Sequence, residues 1–330
     1  MNEEKKERKM RIVRAAVFVG IFFGALFLIS FLINNFYVKG NPNVTGRQRC
    51  VAGLMNEPEE TLDVIALGDS EAYTSINPMY FWKEGGVPLY LVGQPGQHIG
   101  ETYFALRKAF ATQSPKVVLI ETHCMIGKDS MAENIGKVVK GELKNLFSIF
   151  VYHDKWKQVL MGEEKADDNY FKGYEIMTTV RAYGGADYMD DDNKGSRTEI
   201  PPESRYFMGR ILDLCERNGA KVVFYSSPSP VNYNPAVIDA LTAYAKEIDV
   251  PYYDFNTRLE ETGIDWSTDT LDNGDHVNLS GSIKISGKLL PFLNEIVPLE
   301  NRSNDPSYSS WNELLKKYEK MVAEMTAGGK

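Results

Sequence analysis

The sequence predicts an α/β chain: a doubly wound, three-layer parallel sheet behind a single membrane helix. Three observations predict it. Short apolar runs without helical period alternate with amphipathic stretches from about residue 61 to 300. Several of those runs stop abruptly at small-residue turns rich in polar side chains, and an uncharged apolar run stands near the N-terminus. Strand, helix, strand, helix demands parallel pairing through crossover helices, which places helices on the faces of one sheet.

Residues 1–14 form a basic tail, with Lys5, Lys6, Arg8, Lys9, Arg11 and Arg14 outnumbering Glu3, Glu4 and Glu7. Ala15 to Ile33 follows, interrupted only by Gly20, Gly24 and Ser30. At 1.5 Å per residue this run is about 28 Å long, close to the hydrocarbon thickness of a bilayer. The basic excess before it, against Lys39 behind it, puts the N-terminus in the cytoplasm and everything beyond about Tyr37 outside. The run exceeds the apolar core of a signal peptide and no small-x-small cleavage site follows, so 15–37 is expected to remain as an anchor. Gly20 and Gly24 form a Gly-x-x-x-Gly pair that would let another membrane helix approach closely. Residues 38–60 mix Gly, Pro, Asn and Glu without apolar period and are expected to be a linker.

The first strand, Leu62 to Leu67, ends at Gly68-Asp69-Ser70, and Ile76 to Trp82 begins the next helix or its loop. Leu89 to Val92 is a second strand, closed by Gly93-Gln94-Pro95-Gly96-Gln97. Glu101 to Thr112 carries Tyr103, Phe104, Leu106, Ala109 and Phe110 at helical spacing. Lys116 to Ile120 is a third strand, followed by Glu121-Thr122-His123. Residues 128–202 break the rhythm, with a helical stretch around Leu146 to Leu160 and a polar, acidic piece from Gly184 to Thr198. Such an excursion is expected to be an insertion, either a lid over the cleft or a mobile surface loop. The alternation resumes with a helix over Glu203 to Asn218 stopped by Gly219, a strand over Lys221 to Tyr225 and a helix over Ala236 to Ile248. A short strand, Tyr252 to Phe255, carries Asp254; Ser280 to Leu293 is a helix expected beside the first strand. The last segment, 301–330, holds a helix over Tyr308 to Met325 with Trp311, Leu314, Leu315, Tyr318, Met321 and Val322 on one face.

Composition excludes several classes. The chain is 43% hydrophobic, enough to bury a core, and its formal net charge of -8 becomes more negative once the basic tail is set aside. An acidic main domain lacks the basic footprint that nucleic acid requires. Cys50, Cys124 and Cys215 are too few and too scattered for a disulfide framework or a metal cluster, and are expected to be buried apolar residues. No metal and no other cofactor is expected.

In open α/β sheets the carboxyl ends of the strands form the crevice where ligands bind. Ser70 stands at such an end and is a candidate nucleophile if a base takes its proton. His276, in the turn Asp272-Asn273-Gly274-Asp275-His276, is the leading base, ahead of His123 and His98; His153 falls inside the insertion and reads as structural. Asp272 or Asp275 would orient the ring, the sequence not choosing between them; Asp254 reads better as a cap. Backbone N–H groups at Ser70 and Gly93 are the natural oxyanion donors, with the amides of Gln94 and Gln97 available beside them.

Gly68-Asp69-Ser70, Gly93 and Asp275-His276-Val277-Asn278 resemble, in order, the first, second and last blocks of the SGNH, or GDSL-type, hydrolases, over roughly residues 61–295. The resemblance implies a flavodoxin-like sheet, Ser70 as nucleophile, His276 as base, and Ser70 and Gly93 lining the oxyanion hole. One block departs: the family's Gly-x-Asn-Asp, whose Asn donates to the oxyanion, is replaced by Glu121-Thr122-His123. Thr122, Gln94 or Gln97 is then expected to substitute, or the hole is weaker. The Gly-Gln-Pro-Gly-Gln turn and the anchor are similar to the membrane-tethered branch that includes the D-alanyl transfer proteins of lipoteichoic acid synthesis and the polysaccharide O-acetylation proteins. That implies work on cell-envelope polysaccharide or teichoic acid beside a membrane-bound O-acyltransferase. Two functions compete: a serine esterase or acyltransferase, and a non-catalytic module of the same fold that binds glycan or scaffolds a membrane partner, which the missing Asn favours. A phosphodiesterase lacks the metal-ligand clusters such chemistry prefers.

Overall fold

The computed structural model describes residues 2–38, 49–127, 130–153, 155, 169–190 and 199–327. These fall into two compact units, one built from α1 (Asn2–Ile33) with the chain from Val139 to 155, the other from 49–138 and everything after 169.

The second unit holds the sheet. It opens with α2 (Arg49–Met55), whose Cys50, Val51 and Leu54 are buried. The linker expected over 38–60 is therefore shorter: seven helical residues burying three apolar side chains are too few to show a period in sequence. Residues 39–48 lie outside the described residues. The strands are β1 (Val64–Gly68), β2 (Leu89–Gly93), β3 (Val117–Glu121), β4 (Lys221–Ser226) and β5 (Tyr252–Asp254), all parallel in the order β2-β1-β3-β4-β5. Every residue of β1 and β3 is buried, which is why these strands read as unbroken apolar runs rather than alternating ones.

The order reverses at β1, so with right-handed crossovers the β1-to-β2 connection lies on one face and the later connections on the other. Accordingly α3 (Ser70–Ser75) and α4 (Pro78–Gly85) pack against α11 (Leu279–Ile296), while α5 (Ile99–Ala109) packs against α2 and α8 (Pro202–Arg217). Between α5 and α8 the chain forms α6 (Met131–Leu146) and α7 (Ile149–Tyr152). The unit is completed by α9 (Pro235–Glu247), the single turn α10 (Leu259–Thr262) and α12 (Ser309–Ala327), whose Trp311 lies 5.2 Å from Trp82 of α4.

The expected 128–202 insertion is shared between the units, with 130–138, including the start of α6, in the second. Its portion from 139 to 155 belongs to the first unit, whereas 169–190 is laid into the second, with Phe171, Tyr174 and Ile176 in its core. This second piece straps the loop before α11: Leu279 N donates to the Met177 carbonyl at 2.7 Å, Arg181 N to the Thr270 carbonyl at 3.1 Å, and Asn273 N to the Arg181 carbonyl at 2.8 Å. Most of the acidic piece from 184, namely 191–198, lies outside the described residues.

Candidate active site

A 2-1-3-4-5 sheet has its topological switch point between β1 and β3, and the residues leaving those two strands meet there. Asp69 follows β1 and caps α3, its Oδ1 accepting from Glu71 N at 3.0 Å; its Oδ2 lies 2.6 Å from His123 Nδ1, at the end of β3. Ser70 is the first residue of α3 and is half-buried. Gly93, paired with Gly68 in register, closes the third side: a Cβ there would stand 3.0 Å from Tyr73 Cβ and 3.3 Å from the Asp69 carbonyl, so the β2 turn approaches the serine turn closely and a side chain would have to displace its neighbours.

The other half of the site arrives on the loop before α11. Asn273 and Gly274 both have positive φ, 63° and 90°, and fold Asp272 back over the residues that follow. Asp272 Oδ2 lies 2.7 Å from His276 Nδ1 and Asp272 Oδ1 accepts from His276 N at 2.7 Å. Asp275 comes only within 3.7 Å of the ring, so of the two carboxylates Asp272 is the one that bonds it. A carboxylate can only accept, so the proton sits on Nδ1 and the lone pair of the neutral ring on Nε2. The two halves are in contact: ligating atoms of Glu71, Asp275 and His276 lie within 4.8 Å of one another. Asn232, on the loop after β4, bridges them by donating to Glu71 Oε1 at 2.5 Å and Asp275 Oδ1 at 2.8 Å. A divalent cation would find its ligands in that same trio and would then compete with the proton for His276.

The side chains expected to replace the missing Asn are engaged elsewhere. Thr122 Oγ1 shares hydrogen bonds with Ser226 Oγ and, at 3.2 Å, Tyr233 OH. Gln94 Nε2 donates to Gln97 Oε1 at 3.1 Å, and Gln97 Nε2 donates to Thr102 Oγ1 at 3.1 Å, so both buried amides tie the β2 turn to α5. His123 is the polar side chain that the end of β3 brings to Asp69. His98 caps α5, Asp254 caps the residues after β5 through Asn256 N and Thr257 N, and His153 lies in the other unit.

Beneath the site lie two buried carboxylates that sequence reasoning missed. Glu121 accepts from Tyr233 OH at 2.6 Å, Ser227 N at 3.2 Å and His123 N at 2.7 Å; burial and then the charge of Asp69 push its carboxyl up to about 7. Glu71 is raised well above the ordinary value, by burial and then by Glu121 and Asp69, against the lowering bond from Asn232. For His123 burial opposes the charged ring, but the hydrogen bond and charge of Asp69 outweigh it and the ring is raised above 6.5. The visible signal was a charge closing an otherwise apolar strand, Val117-Val118-Leu119-Ile120-Glu121; Asn232 gave none.

These shifts share a sign. A group whose folded value is raised holds its proton more tightly in the fold, so its stabilising effect is complete below the unfolded value and is lost as pH rises through the folded one. For Glu121 that window runs from 4.5 to about 7; His123 and Glu71 act in the same direction. Calorimetry is expected to give a higher Tm near about pH 5 than near about pH 8, with much of the difference gone in Glu121→Gln.

No protein-family model matches the chain, and no curated protein matches it. Among solved structures the chain is similar to a protein of Bacteroides fragilis NCTC 9343 provisionally named an acylhydrolase, with 16% identity, 77% of this chain and 97% of that one covered, and a TM-score of 0.40. It is also similar to a GDSL-like lipase of Bacteroides thetaiotaomicron VPI-5482, with 13% identity, 71% and 88% covered, and a TM-score of 0.37.

Proposed function

We propose that the chain is a membrane-anchored serine esterase or acyltransferase that acts, outside the cytoplasm, on acetyl-type or D-alanyl-type acyl groups of envelope polysaccharide or teichoic acid, beside a membrane-bound O-acyltransferase. The observation that carries this reading is the Asp272–His276 pair held at the strand edge where Ser70 begins α3, with Glu71, the next residue, within 4.8 Å of the ligating atom of His276. α1, long and apolar enough to cross a membrane, supports the anchor, and the basic tail supports an inward N-terminus.

His276 Nε2 takes the Ser70 Oγ proton as Oγ attacks the acyl carbon, and the carbonyl electron pair moves onto oxygen. The backbone N–H groups of Ser70 and Gly93 and the charged ring of His123 receive that oxyanion. Collapse expels the sugar hydroxyl, protonated by His276, and leaves acyl-Ser70. Water or a second hydroxyl then repeats the attack with the same proton path, so hydrolysis and transfer differ only in the acceptor. Treatment of the full chain in detergent with a fluorophosphonate is expected to give one covalent adduct, on the peptide that contains Ser70, by mass spectrometry. Absence of that adduct across the neutral range would overturn the enzyme and leave a glycan-binding or scaffold module.

A further inference from the structure

We propose that residues 139–152 form a second membrane element, a helix-turn-helix that dips into the bilayer beside α1 and returns to the side it came from, with its apolar face against lipid acyl chains. The proposal rests on reading α1 as the membrane anchor.

The depth of the turn follows from its contacts. Phe147, between α6 and α7, is buried, its ring 4.8 Å from Phe27 and 6.3 Å from Phe23 of α1. Phe27 is six residues inside the end of α1 at Ile33, about 9 Å at helical rise. One residue on, Ser148 Oγ donates to the Ser30 carbonyl at 3.0 Å; at the end of α7 the Tyr152 ring lies 5.3 Å from that of Tyr37. Contacts along 147–152 thus climb from Phe23 and Phe27 of α1 to Tyr37, just beyond its end, so within 147–152 the turn at Phe147 is the deepest point. α6 starts in the sheet-bearing unit, where Asn134 Oδ1 accepts from Gly100 N at 3.1 Å, and α7 ends beside Tyr37, beyond the end of α1, so the chain is read as entering and leaving on one side.

Hydrocarbon tolerates such a turn only if its backbone is satisfied within the protein. Phe147 N donates to the Leu143 carbonyl at 2.8 Å, Phe150 N to the Phe147 carbonyl at 3.0 Å, and Val151 N and Tyr152 N to the Ser148 carbonyl at 2.9 Å each. The hydroxyls that would otherwise need water, Ser30 and Ser148, are buried against each other's chain. On the outer side Val139, Leu143 and Leu146 are exposed at helical spacing, and Phe150 is exposed beyond the turn. Water would meet a contiguous apolar face there; the solvent that α1 itself requires is acyl chain, and the face continues the apolar surface of α1. Lys140 and Lys144 stand off this stripe, and their stems are long enough to carry the ammonium toward headgroups.

The test places an environment-sensitive fluorophore on Leu146→Cys, Phe150→Cys, Phe18→Cys and Val231→Cys of the full chain in phosphatidylcholine nanodiscs. Cys50, Cys124 and Cys215 are buried, so the wild-type chain is expected to take no label. Labels at 146 and 150 are expected to be quenched by acyl-chain nitroxide and to lose iodide quenching, as at 18, with the reverse at 231. Iodide quenching at 146 and 150 with 18 still in lipid would overturn the dip and leave the anchor. Iodide quenching at 18 would remove the anchor itself, and the dip with it. Protection at 146 and 150 from both quenchers would overturn lipid contact in favour of a second copy of the chain.

Discussion

Ser70→Ala and His276→Ala are each expected to lower kcat for ester hydrolysis by about 10⁵- to 10⁶-fold, and the double variant by hardly more, because in the proposed mechanism nucleophile and base act as one unit. Asp272→Asn is expected to cost about 10³- to 10⁴-fold, since an amide at that position presents a donor to Nδ1 and stabilises the wrong tautomer. Asp272 also accepts from the backbone N–H of His276, so the same carboxylate fixes the ring and the loop that carries it. Asp275→Asn is expected to cost no more than about tenfold: its Oδ2 stands 3.7 Å from the ring, beyond hydrogen-bond range, and its Oδ1 is held by Asn232. Steady-state rates with a chromogenic acetate ester, on variants of unchanged circular dichroism, check the ladder. Equal losses at 272 and 275 would remove Asp272 from its orienting role.

The choice between those two carboxylates shows what the sequence could and could not carry. β1 and β3 were legible because parallel strands buried on both faces read as unbroken apolar runs, and Gly68, Gly93 and Gly219 mark turns next to β1, β2 and β4. Ser70 was singled out because it follows the end of the first strand, and His276 because it sits in a polar, glycine-containing turn just before a helix. Which aspartate reaches the ring depends on the positive φ angles of Asn273 and Gly274, a conformation that Asn and Gly permit but do not announce. The strap over 169–190 was hidden for a different reason: its pairing with Thr270, Asn273 and Leu279 is through backbone groups, which any sequence owns. Asn232 bridges Glu71 and Asp275 across separations of 161 and 43 residues, and nothing local marks such a bond. The short helix over 49–55 failed to register because burial, not period, defines it.

His123→Ala is expected to lower kcat by about 10²- to 10³-fold with KM little changed, the loss that follows removal of one oxyanion donor. The ring stands where β3 ends, at the switch point, with one nitrogen 2.6 Å from Asp69, the residue before Ser70, and a side chain 29% exposed against 5% for Asp69. Asp69 accepts from Nδ1, so when the ring gives up a proton the one that leaves is on Nε2, and a donor becomes an acceptor. The raised pKa of His123 therefore has a kinetic sign: kcat/KM should fall on the alkaline side at a pH above 6.5 as the donor is lost. An amide keeps its N–H at every pH, so His123→Asn should recover much of the rate lost in His123→Ala while abolishing that alkaline limb. His123→Phe, which keeps the bulk and not the donor, should resemble His123→Ala. If all three variants lost activity alike while Tm fell in parallel, the ring would be holding Asp69 and the first turn of α3 in place rather than meeting the oxyanion.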